Sequence, residues 1–188
     1  HSNGGLLAKY LFAAIQPSAD KNHDLLKKID SVVMIAAPQV GIPQALAGLL
    51  HGDEQSLGYG VLLNKKTARD LGEYMPGAYN LLPSPKYFST VFDPVLTFTE
   101  EAARVPEFND LANSEISCYE GMLDFIRGHG GAWEKEDVGN NLRVPNVLHG
   151  PLLLRAKNIH DLIDSWEPTE DFKVFQLAGW RLETIKGI

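Results

Sequence analysis

The residue pattern predicts an α/β fold, with parallel core strands joined through a long, mostly helical insertion. Three observations point there. Two short, nearly continuous apolar runs, residues 31–38 and 173–179, have the brevity and composition of strands buried on both faces. Helical periodicity comes before each run, as repeated helix and strand units require. Residues 44–172 keep apolar positions throughout and show no internal repeat, so they read as part of one folded unit rather than as a linker.

A chain of 188 residues is long enough for one domain with a sizeable core. With 44% hydrophobic and 22% charged residues it is neither disordered nor of low complexity. Lys and Arg number 17 against 24 Asp and Glu, and the net charge of −7 argues against nucleic-acid binding, which needs a basic face. The same acidity disfavours electrostatic docking on anionic lipid, so membrane contact is expected only peripherally, through apolar surface. The lone Cys118 excludes an internal disulfide and a cysteine-based zinc cage. Residues 32–50, the most apolar stretch, contain Pro38, Gln39, Gly41, Pro43 and Gln44 and divide into strand, turn and helix rather than forming a span. The first residues lack a signal-peptide pattern and an initiator Met, so the chain reads as an excised or processed piece.

Taken in order, residues 5–15 form a buried helix, with Leu7, Tyr10, Leu11 and Ala14 on one face. Residues 20–30 are a polar surface. The strand at 31–38 closes at Pro38. A short helix follows at 43–50 with Pro43 in its first turn, and Asn64 caps another at 65–74. Residues 75–88, with Pro76, Gly77, Pro83 and Pro85, are expected to be a loop, and 91–98 extended. Ile116, Tyr119, Leu123 and Ile126 mark an amphipathic helix ending near Gly128, and 128–145 is a polar loop. The last helix, 151–166, places Ala156, Ile159, Ile163 and Trp166 on one side, before the strand at 173–179.

The chemistry concentrates at the N-terminus. His1-Ser2-Asn3-Gly4-Gly5, opening a helix, is most of a Gly-x-Ser-x-Gly elbow, in which a strained turn raises a serine at a helix N-terminus. Gly4 supplies the small residue two after the Ser, and Gly5 lets the helix approach the sheet. In that reading Ser2 is the nucleophile and the Asn3 backbone N–H one oxyanion donor. The plainer alternative makes Ser2 a helix N-cap.

Together with Ala37-Pro38-Gln39-Val40-Gly41-Ile42-Pro43 after the first strand, these residues resemble the α/β-hydrolase lipases and esterases. Within them the chain is most similar to the lecithin:cholesterol acyltransferase-like group and to inositol-deacylase-like esterases. Ile42 stands where those proteins usually have Thr. Met75-Pro76-Gly77-Ala78-Tyr79-Asn80-Leu81-Leu82-Pro83-Ser84 resembles another segment of that group, and residues 174–184 resemble the strand and turn before its acidic motif.

The resemblance implies a partial α/β-hydrolase fold: an elbow, helix and core strand over 1–43, a helical cap or lid over 44–172, and a core strand and turn over 173–188. It implies a Ser-His-Asp triad of which this chain holds Ser2, with the Asp and His expected beyond Ile188, so that this segment alone would be inactive. The implied substrate is a lipid or other acyl ester, with Tyr79, Leu81 and Leu82 forming a substrate wall, and no cofactor is implied. The resemblance favours an extracellular or cell-surface setting and leaves the oligomeric state open.

Of the histidines, His160, near Asp161 and Asp164, is the one that imitates a base with its carboxylate, yet a partly buried helix histidine is the more economical reading. His51, His129 and His149 read as loop residues beside glycines, and His23 as solvated. Asp20-Lys21-Asn22-His23-Asp24 imitates a calcium loop but has Leu25 and Ser31 where Gly and Glu belong, and no zinc spacing occurs, so no metal is expected. Two function classes stand: a serine esterase, lipase or acyltransferase, and a non-catalytic binding module on the same scaffold. Nucleotide chemistry lacks its glycine-rich motifs.

Overall fold

The computed structural model describes residues 1–16, 28–52, 64–135, 142, 144–168, 170, 173–179 and 187–188. The calcium-like stretch, with His23, and residues 180–184 lie outside the described residues.

Helix α1 (Asn3–Ile15) precedes strand β1 (Ser31–Ile35) in the chain. β1 pairs in parallel with β4 (Lys173–Leu177), Val33 opposite Phe175 and Ile35 opposite Leu177. Strand alternation turns Val32, Met34 and Val174 toward α1, where Phe12 packs against Val32 and Val174. The expectation of strands buried on both faces needs correction. Only Met34 is buried, while Val33, Ile35, Phe175 and Leu177 stand about half exposed, because no described element covers the second face.

The buried face of α1 also differs from expectation. Gly5, Leu6, Phe12 and Ala13 are buried and Leu7 is 71% exposed, with Tyr10 and Leu11 exposed beside it. Apolar residues lie on every side of the helix, so periodicity alone offers two faces. Packing on α7 (Gly150–Ile163), through Leu6, Ala13 and Ile163, selects one of them. Trp166, just past α7, stacks on Phe12 with ring centroids 5.9 Å apart and donates its indole N–H to Gln16 Oε1 at 2.7 Å.

Between the strands lie α2 (Gln44–His51), α3 (Lys65–Gly72), α4 (Pro76–Tyr79), α5 (Pro85–Thr90) and α6 (Tyr119–Ile126). Strands β2 (Leu96–Thr97) and β3 (Glu115–Ile116) form an antiparallel pair. Asn64 caps α3 as expected, accepting from the Thr67 N–H at 2.9 Å. The expected loop at 75–88 instead contains α4 and α5. Pro76 and Pro85 pre-set the backbone of a first helical turn, and the Ser84 hydroxyl caps α5 through Tyr87. Ile116 belongs to β3 rather than to the following helix, and the extended stretch at 91–98 narrows to β2. The supposed polar loop at 128–145 buries Trp133 and Val144 and contains a short 3-10 turn, His129–Gly131. One large core joins these elements through Leu46, Leu50, Tyr79, Val95, Met122, Phe125, Ile126 and Trp133. Among the described residues no helix is long and apolar enough to cross a membrane.

Candidate active site

Ser2 sits where the C-terminal end of β1 meets the first turn of α1. Its N–H donates to the Ile35 carbonyl at 3.1 Å, and its own carbonyl accepts from Gly5 at 2.9 Å. The residue has φ 50 and ψ −135, a left-handed conformation that a residue with a Cβ adopts only under constraint. The N-cap alternative fails on two counts: an N-cap is extended and its side chain accepts from the helix, whereas Ser2 does neither. Its side chain is exposed at the carboxyl end of parallel strands, the edge where ligands of open α/β sheets bind.

The neighbouring residues divide by role. Gly5 is buried, and a Cβ there would overlap the Cβ of Ala37, so the helix can lie against the end of β1 only with glycine. Gly4 and His1 are exposed, and a Cβ at Gly4 would meet nothing among the described residues, so the steric requirement expected at Gly4 is not seen here. The Asn3 side chain donates to the Gly77 carbonyl at 3.3 Å.

That bond begins a chain of contacts between segments far apart in sequence. Ile42 N–H donates to the Leu81 carbonyl at 2.8 Å and Ser84 N–H to the Val40 carbonyl at 3.0 Å. Gly41, at φ 84, turns against Leu82 and Pro83, where any Cβ would collide with the Leu82 carbonyl. The serine turn, the turn after β1 and residues 75–84 are thus hydrogen-bonded into one body.

Two cavities meet at Asn3 and Gly77. One, of about 410 Å³, is walled by Ala45, Leu49, Leu71, Met75, Ala78 and Leu81. The other, of about 700 Å³, runs between α1 and α7 and adds Asn80, Arg155 and Asn158 to an apolar wall. Of the three expected wall residues only Leu81 lines either cavity. Tyr79 is fully buried, its hydroxyl donating to the Glu73 carbonyl at 2.8 Å and accepting from the His149 N–H at 3.0 Å. Leu82 is core as well. Both therefore hold the fold rather than face a substrate, since helix α4 turns Tyr79 inward and the bonds to Val40 and Ile42 turn Leu82 the same way. Burial pushes the Tyr79 phenol up, partly offset by its bond from His149.

No described histidine is hydrogen-bonded to the Ser2 side chain. His160, 3% exposed, donates from Nε2 to the Asn80 carbonyl at 2.9 Å and faces Asp164 across 3.5 Å. It is more buried than the sequence suggests, and its partner is Asp164, since Asp161 pairs with Lys157. Burial pushes the Asp164 carboxyl up, but hydrogen bonds from His160 and Ser84, with the charges of His160 and Lys9, hold it below its ordinary value. Lys9, buried on α1, is pushed down by burial against the attraction of Asp164. Lys9 is not marked in the sequence, and Gly77 and Asn80 are marked only as members of the segment 75–84, because nothing in local spacing singles out a residue that matters through a contact across the chain. His51 ends α2 rather than lying in a loop and bonds the Leu142 carbonyl.

A serine turn above parallel strands, knit to a helical segment with cavities beside it, fits a lipase or acyltransferase of the α/β-hydrolase type. The family is more specific than that: the lecithin:cholesterol acyltransferase family model matches residues 1–159, and the chain belongs to this family. No curated protein and no solved structure matches the chain significantly.

Proposed function

We propose that Ser2 is the nucleophile of an enzyme that takes an acyl group from a lipid ester and passes it to water or to an alcohol. The observation that carries this reading is the backbone of Ser2, strained at φ 50 with no capping bond to account for it. Strain of this kind costs about 1–3 kcal/mol and persists where the surroundings enforce it, often at reacting groups. Ser2 Oγ attacks the ester carbonyl while a histidine takes its proton, and the Asn3 backbone N–H stabilises the oxyanion. Collapse expels the alcohol and leaves an acyl-serine; the same histidine then activates the acceptor. We assign the histidine and its carboxylate to segments following β4, in the order Ser, Asp, His. Residues 44–172 serve as the cap over the serine, on a partial α/β-hydrolase fold.

The 410 Å³ cavity receives the acyl chain, because its wall is apolar and it opens beside Asn3. Each methylene moved from water into such a wall contributes about 0.8 kcal/mol, roughly fourfold in kcat/KM. Leu81→Trp in the full-length protein should lower turnover of long-chain p-nitrophenyl esters by at least that factor while sparing the acetyl ester. Equal loss on both esters, or none, would remove the cavity from the mechanism.

A further inference from the structure

We propose that His129 is a proton-operated latch on the flap formed by residues 98–114. The flap leaves β2 and returns to β3, and its base is closed by Phe98 N–H donating to the Ser114 carbonyl at 2.9 Å. Its two 3-10 turns, Glu100–Arg104 and Pro106–Leu111, contain no buried residue, and the hydrogen bonds of their backbone are local. Phe108 fastens the flap to the body through an aromatic cluster, with ring centroids 5.1 Å from Trp133 and 6.2 Å from Phe125.

Leu111 also packs against the core, and His129 makes the polar attachment. Its Nε2 lies 2.9 Å from Asp110 Oδ2 on the flap and its Nδ1 2.9 Å from Asp124 Oδ2 on α6. Ionised carboxylates only accept, so both ring nitrogens must carry protons for both contacts to hold, and the ring that holds the flap is the imidazolium. The body side is the firmer one: Asp124 also accepts from the Gly130 N–H at 3.1 Å, and His129 is held at φ 48 between glycines that are themselves left-handed. A neutral ring has one N–H and one lone pair. It keeps Asp124 and turns the lone pair, or nothing, toward Asp110, so the flap is released.

Asp110 from the flap and Asp124 from α6 are the charged groups that act on the ring among the described residues, and Trp133 offers it an uncharged face at 6.0 Å. Burial disfavours the cation, but the two carboxylates outweigh it and raise the His129 value above that of a free histidine. The Asp110 carboxyl is held down mainly by its hydrogen bond from His129. The latch is therefore closed below the ordinary histidine value and opens as pH rises through the raised one; in acid it opens as Asp110 protonates. This reading is independent of the role of Ser2.

Arg104 stands exposed at the flap's outer turn and serves as the reporter. Tryptic cleavage after Arg104 in the full-length protein, followed by mass spectrometry and normalised to an unstructured peptide, would be compared at pH 6 and pH 8.5. The wild type should be cleaved roughly fivefold faster at the higher pH, the population shift that one ion pair of this exposure supports. Asp110→Asn and His129→Gln should be cleaved at the fast rate at both pH values, and the His129 ring titration seen by NMR should fall toward the free value in Asp110→Asn. A wild-type rate without pH dependence, or a pH dependence kept in Asp110→Asn, overturns the latch. Should His129→Gln not fold, Asp110→Asn, altered at an exposed side chain, decides alone.

Discussion

At Ser2 the chain holds a backbone conformation that crowds Cβ against the peptide on either side, and no capping bond from its side chain to the helix repays the strain. Glycine tolerates the same φ without penalty, so Ser2→Gly should raise stability by about 1 kcal/mol in urea unfolding while abolishing any acyl-enzyme. Unchanged or lowered stability would mean that the serine is not strained. The strain was legible in part from the sequence, because a serine followed by Gly4 and Gly5 at a helix start is unusual. The pairing of Tyr79 was not legible. Its ring looks like a substrate wall in a row of letters, and only the carbonyl of Glu73 and the N–H of His149 reveal a hydroxyl consumed by the core.

Among elements, α1 shows what pattern can and cannot decide. Its existence followed from periodicity, but apolar residues lie on every side of it, and its one charged residue, Lys9, is turned inward, so pattern carries no instruction about which face is buried. That choice belongs to α7 and to the β1–β4 pair, which lie more than a hundred residues away in sequence for most of their contacts. Gly5 is where the choice becomes rigid. Gly5→Ala should destabilise the protein by about 2 kcal/mol, since the added methyl overlaps Ala37 and either the helix or the turn after β1 must move. A change within about 0.5 kcal/mol in a urea titration would show that the two elements approach less closely than described. Helices α4 and α5 were hidden for the opposite reason. Prolines that mark a loop in a sequence also open a helix when they fall in its first turn, and the pattern does not separate these cases.

For the whole molecule, the polar contacts between α1, α5 and α7 add to the response to acid. Asp164 receives bonds from His160 and Ser84, its carbonyl accepts from Lys86, and Lys9 adds its charge from α1. Because its carboxyl is held below its ordinary value in the folded state, the unfolded chain binds the proton first. The stabilisation is full above the ordinary carboxylate value and is lost as pH falls through the lowered one. Asp164→Asn should cost about 1 kcal/mol at pH 7 and progressively less toward pH 3, read from urea midpoints. A cost that is the same at both pH values would mean that the charge of Asp164 plays no part. Three segments that the sequence marked separately, the serine turn, the turn at Gly41 and residues 75–84, prove to be one hydrogen-bonded body, and Ser2 stands exposed at its edge. The most direct test is to treat the full-length protein with a fluorophosphonate, which bonds covalently to an activated serine, and to map the adduct by peptide mass spectrometry. A single adduct on Ser2, lost in Ser2→Ala, is expected; an adduct on another serine, or a folded protein that takes none, would contradict Ser2 as the nucleophile.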